Sequence, residues 1–315
     1  MGFGRSLSIS SIKVDSIGST VELGGWIEDI RKMAKVSFLT LRDRTGIIQI
    51  VVRGQVYPEE ITKQSTVTVS GTVQETKARD YDFEILAEKI TILAIASRKL
   101  PVDPLGRLES SMDNRLNARA LDMRNQKTAA IFKIRHHMLH SIRNTMERED
   151  FIEITTPKII ASASEGGANL FSLEYFGQTA YLAQSPQLYK EQMVLGLERV
   201  YEIANFYRAE NSHTGRHLTE FSSVDIEAAF MDYTDVMDVL EKIISNVYSY
   251  VAENCNAEQK ALGRQIEPPK IPFERVTYTQ LLEELRKRVK SWSLEMICKM
   301  HIYAQLAKST LGFIF

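Results

Sequence analysis

The feature of this sequence that most restricts its fold is a change in hydrophobic period partway along the chain. Over residues 20–96, apolar and polar residues mostly alternate in short runs, which predicts half-buried β-strands. From Thr128 the apolar residues recur at a period near 3.6, as at Ile131, Ile134 and Met138, which predicts a long amphipathic helix. A chain of 315 residues with two such halves is expected to form two domains.

The alternating half contains five predicted strands, and a short helix is predicted over 57–64 after the third strand. The strands are VELGGWIEDIR, KVSFLTLRDR, IIQIVVR, TVTVSGTVQET and DFEILAEKITIL. This order is typical of a small closed barrel of the oligonucleotide-binding type, although a generic five-stranded barrel also fits. Pro101 and Pro104 end the strand pattern. We therefore place the barrel domain at 1–103 and an Arg-rich hinge at 104–127.

The second half, over 128–288, is predicted to be a mixed α/β domain with a mainly antiparallel sheet. Two of its strands, 199–210 and 221–231, flank the turn-rich loop NSHTGRHLT and should pair antiparallel. Because side chains alternate across a sheet, one face of this pair would carry Phe206, Arg208, Glu210, Phe221, Ser223, Asp225 and Glu227. A cation, carboxylates and an aromatic ring suit a nucleoside triphosphate. A polar hairpin with surface salt bridges fits the spacing equally well.

Charge and cysteine content narrow the class of protein. Lys and Arg number 39 against 40 Asp and Glu, so no global basic field indicates nucleic acid, although a local basic groove stays compatible. Cys255 and Cys298 lack a CxxC partner, so neither a zinc site nor a disulfide framework is predicted.

His136 and His140, one helical turn apart, are interpreted as surface or interface side chains. No signal-peptide pattern or apolar run of about 18 residues is found, which predicts a cytoplasmic protein without a membrane partner.

Four segments, in order, resemble motifs of the aspartyl-tRNA synthetases, a family of class II aminoacyl-tRNA synthetases. FIEITTPKI resembles motif 1, SASEGGANLF the loop that closes over bound aspartate, LAQSPQLYKEQM the aspartate-recognition segment, and FYRAENSHTGRHLTEFSSVDIEAAF motif 2. The alternating half resembles the anticodon-binding domain of archaeal and eukaryotic-type enzymes. The resemblance reaches about Arg288. It implies an OB-fold barrel followed by a class II catalytic domain that is incomplete at its C-terminus.

The resemblance also implies the substrates and the residues that hold them. ATP and L-aspartate would be the substrates, with Mg²⁺ as the metal. Arg208, the catalytic residue, would hold the α-phosphate of ATP and the aspartate carboxylate. The other ATP-binding residues would be Glu210, Arg216, His217 and Phe221. The aspartate-binding residues would be Glu165, Gln187, Lys190, Arg208 and Asp225, with Lys190 paired to the aspartate side chain.

Two macromolecular partners are implied as well. Arg31, Phe38 and Gln49 would stack on and hydrogen-bond to anticodon bases of tRNA for aspartate, with tRNA for asparagine as an open second partner. From the pattern alone, Phe38 is instead a core residue. Pro157 in motif 1 would lie at a homodimer interface.

The sequence departs from the family after Arg288. No GxGxER motif 3 is found, and the family places its acidic magnesium ligands in the same part, so no metal ligand is predicted within the chain. We interpret 289–315 as an out-of-frame tail. A one-nucleotide shift near Arg288 forces Asp across Met296–Ile297 and Ala across Met300–His301, and permits GEELEFGDDLQNA, which resembles archaeal aspartyl-tRNA synthetases. A diverged paralogue with its own tail is the alternative, and resequencing the gene decides between them.

The expected reaction has two steps and needs no side-chain nucleophile: aspartyl-adenylate forms from aspartate and ATP, and the aspartyl group then passes to a tRNA ribose hydroxyl. An asparaginyl-tRNA synthetase is the first alternative, and Pro186 and Lys190 oppose it. An asparagine-forming amide ligase is the second, although such relatives lack an anticodon barrel. Because motif 3 is not found, a non-catalytic tRNA-binding fragment is the third.

Overall fold

The structure is a computed structural model that describes residues 6–76, 78, 81–162, 170–210 and 218–288. The residues Glu165, Arg216 and His217 and the tail 289–315 lie outside these ranges. The chain divides into two compact units between Ala130 and Ile131. Within the described ranges, every helix is too short or too polar to cross a membrane.

The first unit is built on a closed five-stranded barrel. Its strands are β1 (Thr20–Lys32), β2 (Val36–Arg42), β3 (Ile47–Arg53), β4 (Thr66–Glu75) and β5 (Phe83–Ala94). They follow one another around the barrel in the order β1-β2-β3-β5-β4. Neighbouring strands are antiparallel except for the parallel pair β3 and β5. The predicted five-stranded closed barrel is confirmed.

Alternation along these strands builds the barrel core. Leu39, Leu41 and Ile50 are fully buried, while Thr40, which lies between the two leucines, is only partly buried. Closure also needs two glycines, because strands approach closely where they bend. A Cβ on Gly25 would lie 2.2 Å from the carbonyl oxygen of Arg42, and a Cβ on Gly71 would meet a strand β5 carbonyl at the same distance.

The short helix predicted over 57–64 is wrong. The structure has a single 3₁₀ turn at Gly54–Val56, followed by turns. The hydroxyl of Ser65 accepts hydrogen bonds from the backbone N–H groups of Thr62 and Ala96, both at 3.2 Å. Such side-chain bonds satisfy backbone groups locally and compete with a helix of two turns.

The segment predicted as a hinge is folded against the barrel in the first unit. It contains α1 (Met112–Asn117) and α2 (Arg119–Asp122). The guanidinium of Arg124 donates to the backbone carbonyl and the side-chain oxygen of Gln64, both at 3.0 Å, and lies 5.0 Å from the ring centroid of Trp26. These contacts hold Arg124 against the barrel.

The second unit combines two small sheets with helices. Its helices are α3 (Gln126–Arg148), which begins in the first unit, α4 (Gln187–Leu197), α5 (Tyr233–Asn254), α6 (Asn256–Leu262) and α7 (Tyr278–Arg288). Its strands are β6 (Ile152–Glu153), β7 (Ile159–Ile160), β8 (Ser172–Tyr175), β9 (Gln178–Leu182), β10 (Arg199–Tyr207) and β11 (Glu220–Ala228). One sheet has the order β11-β10-β6 and the other β7-β9-β8. Among the strands that the structure describes in this unit, the pair β6 and β10 is parallel and the other pairs are antiparallel, so the predicted mixed, mainly antiparallel architecture is confirmed.

One face of the β10–β11 hairpin forms the core of this unit. Tyr201 and Ile226 on that face pack with Met146 of α3 and with the stripe Val239, Ile243 of α5. The spacing of four residues along α5 places this stripe on one side of the helix. The opposite face of the hairpin is thereby free to carry polar side chains.

Candidate functional site

The β10–β11 hairpin carries the predicted residues on the face turned away from α3 and α5. The register sets Phe206 opposite Phe221, Ala204 opposite Ser223 and Glu202 opposite Asp225. Directly opposed residues of an antiparallel pair share a face. Arg208 follows β10, and its backbone N–H donates to the carbonyl of Thr219 at 3.0 Å, which continues the ladder. The predicted coincidence of the two strand faces is confirmed.

Helix α4 crosses this face and places a buried cation on it. Lys190 is 9% exposed, and its Nζ lies 3.5 Å from Oδ1 of Asp225 and 3.4 Å from Oε2 of Glu227. The same Nζ donates to the carbonyl of Ile226 at 3.3 Å. Two carboxylates against one ammonium leave an excess negative charge, which suits a ligand that brings its own ammonium. The predicted residues Lys190 and Asp225 are therefore brought together.

A second pair of predicted residues meets at the loop end of the hairpin. The guanidinium carbon of Arg208 lies 5.4 Å from the ring centroid of Phe221, in cation–π geometry. Glu210 follows two residues later and is half-buried. A nucleotide offers a complementary group to each partner, a phosphate to the guanidinium and a base to the ring.

A buried ion pair joins β10 to the segment around Pro157. Glu202 is 2% exposed and accepts hydrogen bonds from the backbone N–H and the hydroxyl of Thr156, both at 2.8 Å, and from Nζ of Lys158 at 2.7 Å. That Nζ also lies 4.6 Å from the ring centroid of Phe206. These contacts fasten the segment around Pro157 to β10.

Lys158 and Glu202 were not among the predicted site residues, and Glu227 was placed on the predicted face without a partner. The strand alternation offered a signal for two of them, because Glu202 and Glu227 share the face of Asp225. Nothing in the sequence pattern indicates that Lys158 reaches Glu202, 44 positions away, since that contact depends on the tertiary fold.

Gln187 does not join the Lys190 cluster. It is the first residue of α4, and its Nε2 donates to Oε1 of Glu191 one turn later at 2.6 Å.

Within the described ranges, no three His, Cys, Asp or Glu side chains are arranged to hold a metal ion. His140 contacts Asn144 at 3.0 Å and stacks near Tyr250, with ring centroids 5.4 Å apart.

The barrel carries its predicted RNA-binding residues in two adjacent rows. Arg31 lies opposite Phe38 in one row, and Thr40 lies opposite Gln49 in the next. Phe38 is half-buried and stands outside the barrel core. Gln49 is buried, and its Nε2 donates to Oε2 of Glu84 at 2.9 Å. Glu84, which the sequence analysis did not select, therefore fixes the orientation of the Gln49 amide.

Comparison with known families defines the class of protein. The family of class II tRNA synthetases (D, K and N) matches residues 111–311, and the OB-fold nucleic acid binding domain of the anticodon-binding type matches residues 21–93. The chain belongs to the class II tRNA synthetases. The first match extends beyond Arg288, and the out-of-frame interpretation of 289–315 stays a prediction.

Individual relatives narrow the similarity further. The chain is 45% identical over 277 residues to the aspartate–tRNA(Asp/Asn) ligase of Methanopyrus kandleri, covering 85% of this chain and 64% of that protein. It is 42% identical over 277 residues to the aspartate–tRNA(Asp) ligase of Pyrococcus horikoshii, covering 85% of this chain and 63% of the relative. A crystal structure of asparaginyl-tRNA synthetase from Pyrococcus horikoshii complexed with asparaginyl-adenylate aligns with a TM-score of 0.82 and 30% identity, over 91% of this chain and 68% of that one. The chain thus spans a little under two thirds of the length of these two curated ligases.

Proposed function

We propose that the full-length parent of this chain activates L-aspartate with ATP and transfers the aspartyl group to tRNA. The observation that carries the proposal is the buried cluster of Lys190 with Asp225 and Glu227 on the synthetase hairpin. Aspartate brings a side-chain carboxylate for the ammonium of Lys190 and its own ammonium for the excess carboxylate. The similarity to aspartate–tRNA ligases at 42–45% identity supports the same substrate.

Activation would proceed by attack of the aspartate α-carboxylate on the α-phosphate of ATP, with loss of pyrophosphate. Arg208 would hold both reacting groups and stabilise the charge that develops between them. Phe221 would stack on adenine, and Glu210 would accept a hydrogen bond from its amino group. The remaining proposed contacts to ATP and aspartate are Arg216, His217, Glu165 and Gln187. No covalent enzyme intermediate is needed.

Selection against asparagine follows from Lys190. A neutral carboxamide bound in place of the side-chain carboxylate would offer the buried ammonium of Lys190 no negative charge from the ligand, and sites built around a buried polar group reject such analogues strongly. The structural likeness to a protein that holds asparaginyl-adenylate favours asparagine as the second candidate. The Lys190 cluster favours aspartate.

Mg²⁺ is the metal expected with ATP in this reaction. The described residues offer no group of three suitable ligands, and Asp225 and Glu227 are both engaged by Lys190. We therefore assign no residue of this chain to the ion and route no step through it.

Two partners complete the proposal. The barrel would bind the anticodon of tRNA through Arg31, Phe38 and Gln49, with aromatic stacking contributing about 1–3 kcal/mol per base. A second copy of the chain would pack around Pro157, which is exposed between the exposed apolar side chains of Ile152 and Ile159.

Exchange of pyrophosphate into ATP tests the proposal. The full-length parent is expected to catalyse exchange that depends on aspartate and not on asparagine. The Arg208→Ala variant is expected to lose it, and near-normal exchange by that variant would refute the role of Arg208. Exchange that depends on asparagine instead would identify the second candidate. Binding of tRNA without any exchange would identify a non-catalytic RNA-binding chain.

A further inference from the structure

Three polar side chains and an arginine join helix α3 to the end of the β10–β11 hairpin that carries Arg208. Nη2 of Arg135 on α3 donates to the hydroxyl of Ser222 at 2.7 Å, and that hydroxyl donates to Oδ1 of Asn205 at 2.7 Å. Nδ2 of Asn205 donates in turn to Oε1 of Glu220 at 3.0 Å. These contacts, which we call the hairpin network, cross from β11 to β10 and back.

The hairpin network lies behind the side chains proposed to bind ATP. Asn205 and Ser222 are opposed in the register of the hairpin, and the next opposed pair is Phe206 and Phe221. Because successive side chains of a strand point to opposite faces, the network lies on the face turned toward α3, while Phe221 lies on the site face. Arg208 follows Phe206 by two positions. The network therefore joins the two strands at the level of the ATP-binding residues.

Apolar packing supports the hairpin only up to this level. Ile203 and Ile226 pack against the core that α3 and α5 build. Closer to the loop end, Val224 is 39% exposed, and Asn205 and Ser222 are exposed. At the loop end the hairpin network thus takes the place of apolar contacts between the hairpin and α3.

We propose that Arg135 is a positioning residue for ATP. It fixes the end of the hairpin at which Arg208 and Phe221 would bind the nucleotide, and it would contact neither substrate itself. A loosened hairpin end would spread these two side chains over many positions, which lowers the affinity for a ligand that must meet both of them. The inference rests on the proposed function, because it assumes that ATP binds at this end.

The aspartate end of the hairpin should be independent of Arg135. Asp225 is the register partner of Glu202, whose carboxylate accepts a hydrogen bond from Lys158 at 2.7 Å. That end is held by its own buried ion pair and by the core beneath it. Loss of Arg135 is therefore expected to weaken the binding of ATP and to spare that of aspartate. A loss of stability throughout the unit would affect both substrates.

Amide hydrogen exchange of the chain itself tests the network without reference to activity. Arg135→Met should speed exchange about 10-fold over 205–208 and 220–223, because these amides open locally once the network is lost. The rest of the hairpin should exchange as in the wild-type chain. Lys133→Met changes the same helix at a lysine paired with Glu258 and should match wild type throughout. Unchanged exchange in Arg135→Met would overturn the inference.

ATP–pyrophosphate exchange by the full-length parent then separates the two substrates. Arg135→Met should raise the KM for ATP about 10-fold, the effect of one hydrogen bond from a charged donor, and leave the KM for aspartate unchanged. Arg135→Lys, which keeps a charged donor, should have a KM for ATP nearer to that of wild type. An unchanged KM for ATP, or equal rises in both KM values, would overturn the inference alone. A wild-type parent without aspartate-dependent exchange would instead overturn the proposed function.

Discussion

At the scale of single residues, burial decides which ion pairs matter. The Glu202 side chain is 2% exposed and that of Lys158 is 25% exposed, whereas the pair of Lys32 and Glu59 is 53% and 84% exposed. Removing one partner of a buried pair leaves an uncompensated charge and costs about 3–5 kcal/mol, while exposed pairs contribute little. The pair of Lys158 and Glu202 is therefore expected to stabilise the attachment of the Pro157 segment to β10.

The Lys158→Met variant tests this conclusion. It leaves the buried carboxylate of Glu202 with only the Thr156 donors, and the free energy of unfolding in urea should fall by about 3 kcal/mol. The matched surface variant Lys32→Met should unfold like the wild-type protein. Equal effects of the two substitutions would show that the buried pair has no special role.

At the scale of elements, a buried carboxylate fixes the turn between β2 and β3. Asp43 accepts hydrogen bonds from the backbone N–H groups of Ile9, Thr45 and Gly46 at 2.7–3.0 Å, and from the Thr45 hydroxyl at 2.6 Å. Burial by itself raises the pKa of Asp43, but these hydrogen bonds outweigh it and the pKa is lowered. The turn and the N-terminal segment thus depend on an ionised side chain.

The pH dependence of barrel stability follows from this shift. The pKa of Asp43 is lower in the folded protein than in the unfolded chain, where it is near 3.8. The stability that the ionised carboxylate contributes is therefore fully present above pH 3.8 and is lost as the pH falls through the pKa of the folded state. The Asp43→Asn variant should be less stable than wild type at pH 7, and the difference should shrink below about pH 4. Denaturant unfolding at pH 7 and pH 3 measures it, with the exposed Asp82→Asn as control. A difference that stays constant with pH would contradict this account.

Elements were predicted better than the contacts between them. Strand alternation predicted the barrel strands, and the helical spacing from Thr128 predicted α3. The prediction of a helix over 57–64 was wrong because the Ser65 hydroxyl accepts hydrogen bonds from backbone N–H groups. The spacing of apolar residues carries no information about such hydrogen bonds. The contact of Lys158 with Glu202 was missed because it joins segments far apart in sequence.

At the scale of the whole molecule, the chain combines a complete five-stranded barrel with a synthetase unit, and spans a little under two thirds of the two curated ligases compared with it. Around Pro157 the second unit exposes Ile152 at 47% and Ile159 at 46%. Ile152 and Ile159 lie five and two positions from Pro157 in the sequence, and exposed apolar side chains are a feature of interaction surfaces. This surface is where we place the second copy.

Light scattering after size exclusion tests that placement. The wild-type protein should have twice the chain mass of 35.9 kDa. Ile159→Asp puts a charge into the interface and should give the single-chain mass. Leu93→Asp, a matched change at a barrel side chain that is 52% exposed, should leave the mass unchanged. A dimer that survives Ile159→Asp would locate the interface elsewhere.

The most direct test of the central claim is amino-acid selectivity in ATP–pyrophosphate exchange by the Lys190→Met variant. Loss of the ammonium leaves Asp225 and Glu227 unbalanced and removes the partner of the aspartate side chain. Aspartate-dependent exchange should fall at least about 100-fold, the discrimination expected when a buried charge loses its partner. Lys133→Met, which removes a half-exposed lysine paired with Glu258, should exchange like wild type. Undiminished aspartate-dependent exchange in Lys190→Met would contradict the assignment of this cluster as the aspartate site.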